Sequence, residues 1–450
     1  MNESAPRYGA TRRDFLLAMG AMATAGAPLL RASAPTTPNI VLILADDLGY
    51  DSLGCQGSPD LHTPHIDSIA AAGVRFTDGY VPCPVCAPTR ASLLTGRYPQ
   101  SFGFEFNFEK TKPLEADPFG LPLSQKTLAN HLQAAGYATG IIGKWHLGFA
   151  PKFNPLRRGF DEFFGFLGGS RSYYQQTARE PLYNNHQVVT ESEYLTDAFA
   201  RKAESFIERH RGDPFFLYLP FNAVHHPFDP PPRKYFEHVA PTNNRTRRNF
   251  SAIVSALDEG VGRVLRAIRR RGLEQQTLVI FLSDNGGIVR ARTHPIHVRG
   301  DKGSLFEGGI RIPFMMKWPG QIAPATLYHN PVCAFDLFAT ILKAAGRVPS
   351  ANCDGVDLLP FLAPSATGRP HETLYWKYGD WSAIRHGDWK LLYQSLKAPP
   401  NLFNLTDDTM ELNDRFQQEP TLVTQLSAML NDFKALLPRP RWQPTSTTLG

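Results

Sequence analysis

Cysteine is scarce: five residues (55, 83, 86, 333 and 353) among 450 are compatible with an oxidising compartment but too few for a disulfide scaffold. Net charge is small as well. Forty-seven Lys and Arg against 41 Asp and Glu leave +6, which suits an anionic substrate without making a nucleic-acid-binding protein. No apolar run is long enough for a mature transmembrane span, so no stable membrane span is expected. Internal repeats and long low-complexity segments are absent, which excludes solenoids and disordered linkers. The Gly-x-x-x-x-Gly-Lys order of a phosphate loop is missing too, and with it that route to nucleotide chemistry.

The length suits one large α/β domain with a smaller appendage, and 42% apolar residues allow a sizeable core. The first 34 residues read as a targeting segment. Arg12-Arg13 precede an apolar stretch to Leu30, and Ala32-Ser33-Ala34 offers small residues for a signal peptidase. This order resembles a twin-arginine signal and predicts an exported, periplasmic or secreted protein with the Tat machinery as a partner. The segment holds four Arg, one Glu and one Asp, so its removal takes the charge from +6 to +4. Five arginines between Arg263 and Arg271 fall at helical spacing and read as a solvated helix face.

Strand-like and helix-like segments alternate, the signature of a mostly parallel sheet with helices on both faces. Ile40–Ala45 is continuously apolar, as a strand buried on both faces requires. Further strands are expected over Ala138–Ile142, Phe215–Phe221 and Leu278–Leu282. Helices are expected over Pro64–Ala72, Leu128–Ala135, Leu195–Arg209 and Ile253–Arg270. Residues 227–243, rich in proline and polar groups, read as a surface loop. The texture changes near Ala363–Gly368, so we place a main domain over 35–364 and a smaller one over 365–450. The latter carries short aromatic strands (373–377, 382–385, 389–393, 401–404) and a helix near 421–436.

The chemistry concentrates in a few segments. Cys86-Ala87-Pro88-Thr89-Arg90-Ala91-Ser92-Leu93-Leu94-Thr95-Gly96-Arg97 reads as a helix with Cys86 at its N-terminus, where free N–H groups and the dipole favour an anion. Asp46-Asp47 and Asp284-Asn285 each follow a strand, at the carboxyl ends where open α/β sheets bind ligands. Either pair alone would be an ordinary turn or cap. Together they offer hard oxygen donors that suit calcium or magnesium rather than zinc. Gly143-Lys144-Trp145-His146, Asn222-Ala223-Val224-His225-His226-Pro227 and Lys302-Gly303-Ser304-Leu305-Phe306-Glu307-Gly308-Gly309 complete the set. Tyr173-Tyr174 and residues 102–108 read either as lining a sugar site or as packing, the latter for most of them.

These segments resemble the formylglycine-dependent sulfatases, arylsulfatase-like members of the alkaline phosphatase superfamily. The match covers Cys-x-Pro-x-Arg with its downstream Leu-Thr-Gly-Arg, Gly-Lys-x-His and Lys-Gly-x-x-x-Glu-Gly-Gly, from about Asn39 into the C-terminal region. It departs at Thr89, where serine or alanine is common, and at Val224, where proline is. The resemblance implies an alkaline-phosphatase-like fold and hydrolysis of a sulfated carbohydrate or aryl sulfate. It implies that a maturation enzyme oxidises Cys86 to formylglycine (3-oxoalanine), leaving four cysteines whose pairing stays open. It assigns the metal, Ca2+ or Mg2+, to Asp46, Asp47, Cys86, Asp284 and Asn285. Lys144 would hold the formylglycine, His146 would act as its base, Arg90 and Lys302 would bear on the sulfate, and His225 rather than His226 would be the general acid. A phosphoester or phosphonate hydrolase of the same superfamily is the nearest alternative. A non-catalytic polyanion-binding protein is the other.

Overall fold

The computed structural model describes residue 1 and residues 37–110, 112–113, 116–175, 180–288, 298–363 and 365–444. The expected export segment therefore lies outside the described residues, apart from Met1. From residue 37 onward a ten-stranded sheet organises the chain. Its order is Thr326–Tyr328, Val74–Phe76, Phe314–Lys317, Thr277–Ser283, Asn39–Ala45, Phe215–Pro220, Ala138–Lys144, Glu162–Phe166, Leu182–Asn184 and Gln187–Val189. The five strands from Thr277–Ser283 to Glu162–Phe166 run parallel, and antiparallel neighbours flank them on both sides.

Every residue of Asn39–Ala45, Phe215–Pro220 and Thr277–Ser283 is buried, which explains their unbroken apolar sequences. Side-chain alternation sends Ile40, Leu42 and Leu44 into one core and Val41, Ile43 and Ala45 into the other. The first core is closed by Cys86–Thr95, Leu128–Gln133 and Asp336–Ala344; the second by Pro64–Ala71, Leu195–Arg209 and Arg245–Arg270. Each aliphatic side chain so buried contributes roughly 1.5–3 kcal/mol, so this central layer fixes the frame on which the strand ends are displayed.

The helix expected from Ile253 begins eight residues earlier, at Arg245. Asn244 caps it by accepting from the Arg247 N–H, and the polar first turn hid this start. The arginines between 263 and 271 pair with Glu204, Glu208, Glu259 and Glu274, as a solvated, ion-paired face does. Residues 227–243 contain a short 3-10 turn, Arg233–Phe236, whose Tyr235 is buried.

Downstream, Thr373–Tyr378, Trp381–His386, Trp389–Tyr393 and Asn401–Asn404 form a consecutive antiparallel sheet. Leu426 and Leu430 of helix Pro420–Ala435 pack on Ile384, Leu391 and Leu402 from one face. From the other, Leu374 and Trp376 join the main core, and the Trp376 indole donates to the Val81 carbonyl at 2.8 Å. All five cysteine thiols are free.

Candidate active site

Four neighbouring parallel strands deliver the site. Thr277–Ser283 leads into Asp284-Asn285, Asn39–Ala45 into Asp46-Asp47, Phe215–Pro220 into Phe221–His225, and Ala138–Lys144 ends on Lys144 itself. Because these strands are adjacent and parallel, their carboxyl ends lie along one edge, and residues far apart in sequence converge there. Helix Cys86–Thr95 supplies the rest and is buried over its whole length. It stops where Gly96 turns left-handed at φ 69°; a side chain there would also meet the Phe338 ring. At its other end the Asn107 side chain accepts from the Ala87 N–H at 2.9 Å.

One ligand atom each from Asp46, Asp47, Cys86 and His225 lies within 4.8 Å of the others, all four residues being buried. The Cys86 Sγ is 3.5 Å from Asp46 Oδ1 and 3.9 Å from Asp47 Oδ1. Lys144 Nζ donates to Asp46 Oδ2 at 2.6 Å. Lys302 Nζ lies 2.8 and 3.0 Å from the two Asp47 oxygens. Arg90 grips Asp284 Oδ2 through Nε and a terminal nitrogen at 2.9 and 2.7 Å, and donates to the Lys144 carbonyl at 2.9 Å. The other Asp284 oxygen accepts the Asp47 N–H at 3.2 Å. Asn285 donates to Asp47 Oδ1 at 2.8 Å and to the Gly286 carbonyl, while its buried Oδ1 has no hydrogen-bond partner.

The two adjacent histidines separate cleanly. His225 is buried, with Nε2 at 3.6 Å from Asp47 Oδ2 and Nδ1 at 2.6 Å from the His226 carbonyl. That contact places a proton on Nδ1 and turns Nε2 toward the carboxylates. His226 is exposed. His146 is buried against the Phe108 ring, and its Nδ1 has no hydrogen-bond partner.

Burial with many cations sets the electrostatics. Burial penalises a charged Asp47, but the Lys302, His225 and Lys144 charges override it and hold the carboxyl below its ordinary range. Burial, reinforced by Asp46, pushes Asp284 up to about 6 against the pull of Arg90. Burial also pushes the Cys86 thiol up, with Asp284 adding to it. His146 is driven well below its usual value by burial and then by Lys144, Arg90 and Lys302. Three carboxyl groups (46, 47, 284) thus face three cations (90, 144, 302), all buried except the partly exposed Lys302.

All ten residues singled out in the sequence lie at this centre or in its walls. Sequence reasoning passed over several supports. Tyr173 is not only packing: besides stacking on Tyr194, its hydroxyl donates to the Asn222 and His225 carbonyls at 3.1 and 2.9 Å. Ser283 accepts the Leu48 N–H and donates to the Asn285 carbonyl, tying the two acidic strand ends together. A hydroxyl within an apolar strand, and a tyrosine among aromatics, carry no local signature of such roles.

Comparison with known proteins gives a consistent answer. The Sulfatase family model matches residues 38–347, and a model described as N-sulphoglucosamine sulphohydrolase, C-terminal, matches residues 297–435. Arylsulfatase A of Bos taurus is 37% identical over 377 residues, covering 76% of this chain and 71% of that protein. N-acetylgalactosamine-6-sulfatase of Mus musculus is 35% identical over 389 residues, covering 80% and 73%. Among solved structures, Ps i-CgsB superposes with a TM-score of 0.86 at 33% identity over 91% of this chain and 96% of that one. Its complex with k-i-k-neocarrahexaose gives a TM-score of 0.85, also at 33% identity and with the same coverage. The phosphonate monoester hydrolase of Agrobacterium radiobacter shares the fold, with a TM-score of 0.66 at 19% identity over 88% of this chain and 95% of that one.

Proposed function

This chain belongs to the sulfatase family and is a sulfuric ester hydrolase, and we propose that it desulfates a sulfated glycan using an aldehyde made from Cys86 and one divalent cation. The observation that carries this reading is the position of Cys86, first residue of a buried helix and within 4 Å of Asp46 and Asp47. The donor set fits a hard cation: Asp46, Asp47, Asp284 and Asn285 all offer oxygen donors, and the buried Asn285 Oδ1 is left unpartnered by the protein. These four residues, with residue 86, would hold Ca2+ or Mg2+.

Bound there, the cation would polarise a sulfate oxygen, and the hydrated aldehyde of residue 86 would serve as a nucleophile that needs no later attack by water. The chain's own groups do the rest. Arg90, locked by Asp284 and the Lys144 carbonyl, is a fixed charge that costs no reorganisation. Lys144 and Lys302 bring two ammonium groups to the sulfate oxygens. His225, its Nδ1–H fixed on the His226 carbonyl, presents Nε2 to the departing alcohol and would protonate it only as the doubly protonated imidazolium, a form that burial opposes and Asp47 favours. His146, held neutral by burial and the neighbouring cations, would serve as the base for residue 86 once that residue is modified.

The bound k-i-k-neocarrahexaose of Ps i-CgsB, a relative at 33% identity, supports a sulfated polysaccharide as the substrate class. Residues 1–34 support export through the Tat machinery to the periplasm or beyond, after modification of Cys86 by a maturation enzyme. Among the described residues no helix is long and apolar enough to cross a membrane.

The test is to co-express the chain with a maturation enzyme, measure the mass of the peptide containing Cys86, and assay defined sulfated oligosaccharides beside nitrophenyl sulfate and nitrophenyl phosphate. An aldehyde at position 86 and sulfate release are expected. Full activity with an unmodified thiol would overturn the mechanism. Asp46→Ala should lose metal and activity together in elemental analysis. Stoichiometric zinc on histidines with preferred phosphate turnover would move the protein to the phosphoester class.

A further inference from the structure

The 299–310 loop carries Lys302 at its tip, and its neck is held by a residue more than a hundred positions downstream. Glu411 is fully buried, and its backbone is left-handed at φ 54°, a conformation that a glutamate keeps only where its surroundings impose it. Its Oε2 accepts the Glu307 N–H at 2.6 Å, and its carbonyl accepts from the Arg299 guanidinium at 2.9 Å. Arg299 and Glu307 flank the loop, and the Gly308 N–H to Arg299 carbonyl bond, 2.6 Å, closes the neck between them. The Arg299 guanidinium also lies over the Phe306 ring at 4.1 Å. Buried Lys390 then ties Glu411 to Glu307, 2.8 Å from a carboxylate oxygen of each. At the tip the Lys302 N–H donates to the Gly287 carbonyl and the Gly303 N–H to the Pro84 carbonyl, both at 3.0 Å.

We propose that Glu411 is a positioning residue that clamps both ends of the 299–310 loop and so holds the Lys302 ammonium where the sulfate binds. This rests on the reading of Lys302 as a sulfate-binding group. Glu411 touches no reacting atom; it sets the loop's neck, and the backbone bonds at residues 302 and 303 transmit that placement to the tip. The C-terminal segment thereby controls one of the cations of the active site.

The experiment uses matured protein and inorganic sulfate as a competitive inhibitor. Glu411→Gly removes the clamp's side chain, adopts the left-handed backbone freely and keeps the carbonyl that Arg299 uses. It is expected to raise the sulfate inhibition constant about tenfold, as Lys302→Ala does or more, and to add nothing further in the Lys302→Ala background. Glu411→Gln keeps an acceptor for the Glu307 N–H and should restore near-native inhibition. If Glu411→Gly does not fold, Glu411→Asp, one methylene short of Glu307, carries the same comparison. Unchanged sulfate inhibition in the Glu411 variants, with Lys302→Ala weakened, overturns the clamp and leaves the Lys302 reading intact. Additive losses also overturn it, because Glu411 would then act elsewhere. An unaffected Lys302→Ala would sink the Lys302 reading and the clamp together.

Discussion

The molecule holds two ionic clusters with almost the same inventory and opposite characters. At the strand ends, Asp46, Asp47 and Asp284 meet Arg90, Lys144 and Lys302. Where the C-terminal sheet docks, Asp78, Glu307 and Glu411 meet Arg311, Arg385 and Lys390. The second cluster closes on itself. Each charge finds a partner within it, and the Tyr80 hydroxyl bridges Arg385 and Glu307. The first keeps capacity in reserve: an unpartnered Asn285 oxygen, an unpartnered His146 nitrogen and a cysteine at a helix start. Buried charge alone therefore does not mark a candidate site; here it is joined by an unpartnered amide oxygen and a cysteine at a helix start beside the carboxylates. Substitutions in the first cluster should cost activity at little cost in stability; those in the second should cost mainly stability, Glu411 excepted, because it also holds the loop that carries Lys302.

The largest effect sharpens that contrast. Cys86→Ala should lower turnover by on the order of 10⁴ or more while shifting the denaturation midpoint only slightly, because a small buried group is replaced by another. A comparable loss of stability would break the distinction. Next comes the histidine pair. His225→Ala should slow a sugar sulfate by about 10²–10⁴ and nitrophenyl sulfate far less, because a good leaving group needs no proton. His226→Ala, at an exposed site, should change affinity instead. Leaving-group dependence that follows His226 would reassign the acid.

In the second cluster, Lys390→Met removes the buried ammonium between Glu307 and Glu411 and should cost about 3–5 kcal/mol in urea denaturation. An unaltered midpoint would show that the cluster is not structural. The smallest effect is a pH slope. Burial, and then Glu307, push Glu411 up to about 7 from 4.5 against the pull of Lys390. Between those values the folded chain holds a proton that the unfolded chain has released, so this group's stabilisation is complete below 4.5 and is lost as pH rises through about 7. Glu411→Gln should flatten that part of the stability profile relative to the parent; an identical slope would assign the proton elsewhere.

Much of the fold was legible because each element carries its own signal. The continuous apolar runs at 40–45 and 278–282 became fully buried strands, and the aromatic segments at 389–393 and 401–404 became strands with the expected limits. The start of helix Arg245–Arg270 was not legible, since a polar first turn resembles a loop until its cap is seen. Tyr173, Ser283 and Glu411 were invisible as supports because each acts on a backbone group distant in sequence.

The sequence by itself determined the family, the alternation of strand and helix, and the residues at which chemistry concentrates. Spacing such as Cys86-x-Pro88-x-Arg90 is local, and periodicity is local. Tertiary structure alone decided which charges are spent and which are held ready. Whether a carboxylate meets an arginine, a lysine or an open space depends on strand order, loop closure and burial, all of them long-range. It also separated the surroundings of His225 from those of His226. The two are neighbours in the chain, and only the folded loop buries one ring beside Asp47 and turns the other to solvent.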